Sequence, residues 1–108
     1  MTSEPALRFN DALKLRSILI VHATGGVMDD IEFRGLRERF FIDPAAKKLL
    51  PRFVRDNFDG DSVWAYLKDF YTGSGAYAAR RKHITEQFQP LLEFLSEDLD
   101  PYWPEANV

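Results

Sequence analysis

The chain has 108 residues, is 45% apolar and 14% aromatic, and carries a formal net charge of −3. That length fits a single domain with a modest core, and that composition argues against wholesale disorder. Cysteine is absent, which excludes disulfides, thiol nucleophiles and thiolate metal sites. The acidic balance gives no global attraction for nucleic acid or an anionic membrane. The N-terminus, MTSEPALRFND, lacks a basic region followed by an apolar block, and no apolar run reaches the roughly 20 residues that cross a bilayer. A soluble, cytoplasmic domain with no membrane contact is the expectation.

The first element decides between two kinds of protein. RSILIVHATGG, Arg16 to Gly26, reads either as a β-strand entering a phosphate loop or as a helix closed by glycine. Ile18 to Val21 form a continuous apolar run, too short for periodicity to assign by itself. Leu7, Leu13 and Leu15 upstream show no alternation, and Ser3-Glu4-Pro5 resembles an N-cap with proline in the first turn. A phosphate loop requires more glycine or a Lys-Ser/Thr pair. Here Asp29, Asp30 and Glu32 follow instead and would repel a phosphate. The reading is a helix that ends at Gly25-Gly26.

Further helices follow. Asp29 and Glu32 have capping-box spacing, and Phe33, Leu36 and Phe40 make one stripe. Asp43-Pro44 starts the next helix and Pro51 interrupts it, leaving RFVRDNF as a short turn or helix. Asp59 or Asp61 caps a helix with Val63, Tyr66, Leu67 and Phe70 on one stripe, and TGSG ends it. The last helix starts near Ala76 and places Tyr77, Ile84, Phe88, Leu91, Leu92 and Leu95 on one side, with a kink or break expected at Pro90. The expected architecture is all-α: a compact single-domain bundle of four to six helices over 1–95, then an acidic, irregular tail over 96–108. Leu19, Phe33, Leu36, Leu67, Ile84, Phe88 and Leu91 should be buried.

In order along the chain stand HATGG, LRERFFIDP, LLPRFVR, VWAYLK and YAARRKHITEQFQPLLEFL. As an ordered set, from about Ile18 to Leu95, these segments resemble a small helical domain at the N-terminus of bacterial abortive-infection (phage-defence) family proteins. The resemblance implies a module that accompanies an effector or sensor region and has no established catalytic residues. It leaves open whether this chain is a domain of a longer effector or acts by itself.

Catalytic signals are weak. His22 and His83 are the only histidines and show no metal-ligand spacing. His22 is expected to favour the carbonyl end of its helix. Ser17, Ser62, Ser74 and Ser96 form no G-x-S-x-G elbow. ARRKHI has the residue types of a helical ribonuclease, but Arg80 lies only three positions before His83. No catalytic residue, cofactor or metal site is assigned, and the expectation is a non-enzyme.

The charges segregate. Arg34, Arg37, Arg39, Lys47, Lys48, Arg52 and Arg55 form one basic block, Arg80, Arg81 and Lys82 a second, and the residues after Leu92 carry only acids. Arginine suits paired contacts to carboxylate or phosphate. Arg52, Arg55, Arg80, Arg81 and Trp64 are therefore the candidate partner-binding residues, for a protein partner or a second copy. Single-stranded nucleic acid is the alternative, its phosphates on the arginines and its bases on Trp64, Tyr71 or Tyr77. Arg80 or Arg81 would instead be buried against a carboxylate if their helix turned that side inward.

Overall fold

The computed structural model describes residues 4–70 and 72–97, with side chains from 8–69 and 72–97. The expected cap at Ser3, Tyr71 and the tail beyond Glu97 lie outside these residues. Among the described residues there are six helices and no strand: α1 (Glu4–Ala23), α2 (Asp30–Phe41), α3 (Pro44–Leu49), α4 (Arg52–Arg55), α5 (Gly60–Phe70) and α6 (Ala76–Ser96). The fold is an all-α bundle, and no described helix is long and apolar enough to cross a membrane.

The ambiguous opening segment is helical. Its apolar run divides as a helix requires: Leu19 is fully buried, Ile18 and Ile20 are half-buried, and Val21 is 50% exposed. Ala12, Leu15, Leu19 and Ala23 form the inward stripe. Gly25 adopts φ +98°, and the Gly26 N–H donates to Val21 O at 2.8 Å, closing the helix in the left-handed manner that glycine permits.

The acids read as helix starts act as caps, although at Asp29 the reciprocal half of the expected box is not formed. Asp29 accepts hydrogen bonds from the backbone N–H groups of Ile31 and Glu32, while Glu32 pairs with Lys14 from α1. Asp43 accepts from the Ala45 N–H with Pro44 in the first turn. Of the two candidates before α5, Asp59 is the cap, accepting from the Ser62 N–H at 2.8 Å. These bonds satisfy donors that a helix start otherwise leaves open.

Packing centres on α1 against α6, with α2 and α5 also on α1, and α3 on α2 and α6. Leu19, Phe33, Leu36, Leu67, Ile84, Phe88 and Leu91 are all buried in one core. Two aromatics depart from their expected stripes: Tyr66 is 40% exposed and Tyr77 54% exposed. Their neighbours Val63, Leu67 and Ile84 fill the core without them.

Of the kink or break expected at Pro90 there is no break: α6 runs on past it. Pro90 is exposed, while Phe88, Leu91, Leu92 and Leu95 on either side are buried. The lost backbone hydrogen bond is offset by that apolar anchorage, each large side chain contributing about 1.5–3 kcal/mol on burial.

Gly60 joins three helices. Its N–H donates to Asp30 Oδ1 at 2.8 Å, and its carbonyl accepts from His22 Nε2 at 2.9 Å. A Cβ there would come within 2.9 Å of Asp30 Oδ1, so glycine allows the close approach. His22 stands in the last turn of α1, at the carbonyl end as the sequence implied, and from there it also bonds the first turn of α5.

Candidate functional site

The two members of the Arg80–Arg81 pair have different environments. Arg80 is only 6% exposed. From α6 its guanidinium donates to the carbonyls of Leu67 at 3.1 Å, Ala23 at 3.2 Å and Lys68 at 3.4 Å. These oxygens belong to the last turns of α5 and α1, where helices leave carbonyls without internal partners and carry partial negative charge. The guanidinium also lies 5.1 Å from the Trp64 ring centroid, and Trp64 meets the His22 ring edge-on at 5.9 Å. Arg80 and Trp64 are therefore built into the bundle. The expectation of an exposed partner-binding pair is corrected for Arg80, whose neighbours include backbone carbonyls in the role anticipated for a carboxylate. Arg81, one position along the helix, is exposed.

Most of the first basic block is likewise engaged. Arg37 donates to Val54 O at 2.8 Å and Arg55 O at 2.6 Å, and it stacks over Phe41 at 4.1 Å. Burial lowers its pKa, with Glu38 and Asp56 opposing the shift; an arginine starts so high that it stays protonated. Arg34 donates to Phe58 O, and Arg39 pairs with Asp11. Arg8 holds Asp43 at 2.7 Å, and that hydrogen bond is the main reason the Asp43 carboxyl lies below the usual carboxylate range. Asp59 is lowered as well, chiefly by the Ser62 N–H at its cap.

Arg52 and Arg55 both lie on α4 but do different things. Arg52 is exposed and meets Asp56 one turn on, at 3.3 Å. Arg55 is half-buried and lines a groove of about 590 Å³. The other walls are Pro44, Ala45, Lys47, Lys48 and Leu49 of α3, and Phe94 of α6. Leu49 and Phe94 pack against the core and form the apolar floor. Lys47 leans over the Phe41 ring at 4.5 Å. Among the described residues none that lines the groove is acidic, and Lys48 and Arg55 enter no ion pair with any of them. Arg55 Nε is buried with no hydrogen-bond partner among them. An arginine pairs best with a carboxylate or phosphate, and two lysines stand beside this one. The groove can therefore hold an anion whose remainder is apolar.

Of the five candidate residues, the groove contains only Arg55. Lys47, Lys48, Leu49 and Phe94 complete it. The basic pair was visible beside the Asp43-Pro44 cap, but nothing in the order of residues placed α6 against it. Phe94 stands off the buried stripe of α6, the one local hint that it serves another surface.

The histidines occupy separate settings. His22 is tied to Gly60, whereas His83 Nε2 and the Tyr66 hydroxyl share a 2.8 Å hydrogen bond beside the Phe53 ring. Desolvation lowers the His83 pKa, with Glu86 opposing. Among the described residues no three His, Cys, Asp or Glu side chains converge as a metal site. Comparison of the chain with family profiles, curated proteins and solved structures returned no match.

Proposed function

We propose that this chain is a non-catalytic helical interaction module that docks a protein partner, or a second copy of itself, in the α3–α4–α6 groove. The observation that carries the reading is the grouping of Lys47, Lys48 and Arg55 around Leu49 and Phe94, with no acid among the described residues of the lining. Elsewhere the arginines hold the fold together, through carbonyls at Arg34, Arg37 and Arg80 and carboxylates at Arg8 and Arg39. That weighs against the alternative, a nucleic-acid sensor, which needs several cations available to phosphates. The setting we propose, a prokaryotic antiviral defence protein of the abortive-infection kind, rests on the sequence resemblance, and cytoplasmic location goes with it.

A photocrosslinking amino acid placed at Lys48, with a control at Lys82, tests the proposal in the native host. The two positions lie on different helices, and both side chains are exposed. A protein adduct specific to Lys48 is expected. Adducts to nucleic acid would favour the sensor reading, and the absence of any specific adduct would remove the module reading.

A further inference from the structure

We infer that the occupant of the α3–α4–α6 groove is an acidic, amphipathic segment of a partner protein: carboxylates flanking a large apolar or aromatic side chain. This rests on the proposal that the groove docks a protein, and it names the chemistry of the partner.

The rim and the floor make different demands. Lys47, Lys48 and Arg55 bring three cations, and among the described residues no carboxylate lines the groove with them. A neutral apolar segment would cover Leu49 and Phe94 but strip water from those cations without replacing it, and an uncompensated buried charge is costly. A nucleic-acid backbone would satisfy the cations but leave the floor wet. Stacking would not compensate, because Phe94 is half-buried and packed against the core, whereas a base platform presents an open ring face. A segment carrying both carboxylates and an apolar side chain meets both demands. Arg55 adds a directional element, since it lines the groove and a guanidinium can grip a carboxylate through two parallel N–H donors. A groove of about 590 Å³ accepts a few side chains, not a folded domain. The predicted mode is thus a short linear segment whose apolar residue is the anchor and whose acids set orientation and association rate.

The test uses the intact chain and a random twelve-residue peptide display library. Peptides selected on the wild type should be enriched in Asp and Glu around Phe, Trp or Leu. The leading peptide, synthesised with a fluorophore, should bind at least about tenfold more weakly to the Lys47→Glu/Lys48→Glu variant. It should weaken similarly when its acids become amides or its anchor becomes alanine, and binding should fall as salt rises. Both lysines are exposed, and thermal unfolding verifies that the variant is folded; Lys47→Gln/Lys48→Gln serves if it is not.

Several outcomes overturn the inference. One is selection of basic or uncharged peptides, or of none that depends on the lysines. Another is an oligothymidylate of equal charge binding as tightly and with the same dependence. A third is peptide affinity that rises when Asp98, Asp100 and Glu105 are changed to Asn, Asn and Gln, which would assign the groove to the chain's own acidic run. A Lys48 crosslink to protein together with non-acidic selected peptides would sink the inference alone. Failure of that crosslink would sink the docking reading beneath it.

Discussion

Arg80 and Arg55 are both drawn away from solvent, yet their surroundings differ in kind. Arg80 is enclosed by the carbonyl ends of α1 and α5 and by the Trp64 ring, so that one cation caps two helices at once. Arg55 stands beside Lys47 and Lys48 over an apolar floor, and no acid among the described residues lines that groove. The first arrangement is closed, because its cation already meets the partial charges it needs. The second is open to an anion from outside. Arginine content therefore does not identify a binding face; the neighbours of each guanidinium do.

The comparison breaks most readily at Arg80. Arg80→Ala would strand carbonyls at two helix ends and should cost about 3–5 kcal/mol, in line with removing one partner of a buried charged contact. Phe88→Ala, a plain loss of packing at a fully buried ring, calibrates the scale at about 3–5 kcal/mol. Denaturant unfolding of both variants checks the pair, and Arg80→Lys should recover only part of the loss because an ammonium lacks the planar fork. An Arg80→Ala protein with an unchanged midpoint would dissolve the distinction between the two regions.

Arg37→Ala should fall lower. Two hydrogen bonds to α4 carbonyls disappear from a half-buried position, for a loss of about 2 kcal/mol in the same assay. That variant also loosens α4, which carries Arg55, so peptide binding at the groove should weaken alongside stability.

At the open region the effects should separate. Lys47→Glu/Lys48→Glu or Arg52→Glu should change stability by less than about 1 kcal/mol, since exposed charges contribute little. The lysine pair should nevertheless bind the selected acidic peptide at least about tenfold more weakly. A large drop in melting temperature for the lysine pair would show that this face supports the fold, as the Arg80 site does.

The smallest effect concerns pH. Desolvation makes folded His83 a weaker base than the same residue in the unfolded chain. The unfolded state then binds the proton more readily, so this contribution is present above the ordinary imidazole pKa of about 6.5 and is lost as pH falls below it. His83→Gln should flatten the fall in melting temperature between neutral and mildly acidic pH. The remaining acid sensitivity in that variant would include Asp43 and Asp59, whose lowered values also cost stability as they protonate. Identical profiles for wild type and variant would contradict the role given to His83.

The groove was only partly legible. Lys47, Lys48 and Arg55 stood out as part of a basic block, but Arg80 and Trp64 looked equally available until their burial was known. Helix periodicity gives the angle of a side chain on its own helix and not the identity of what it faces. Pro90 shows the same limit, since its local cost is real and only the buried residues around it explain an unbroken α6.

The caps at Asp29, Asp43 and Asp59, the closure at Gly25 and the inward stripes were determined by the sequence itself, because each depends on residues within a turn or so of one another. The tertiary structure alone decided which cations are enclosed and which line an open groove. Arg80 meets a carbonyl 57 residues away, and His22 meets Gly60 across 38. Hydrogen bonds of that reach exist only once the helices have packed, so no local pattern of residue types encodes them.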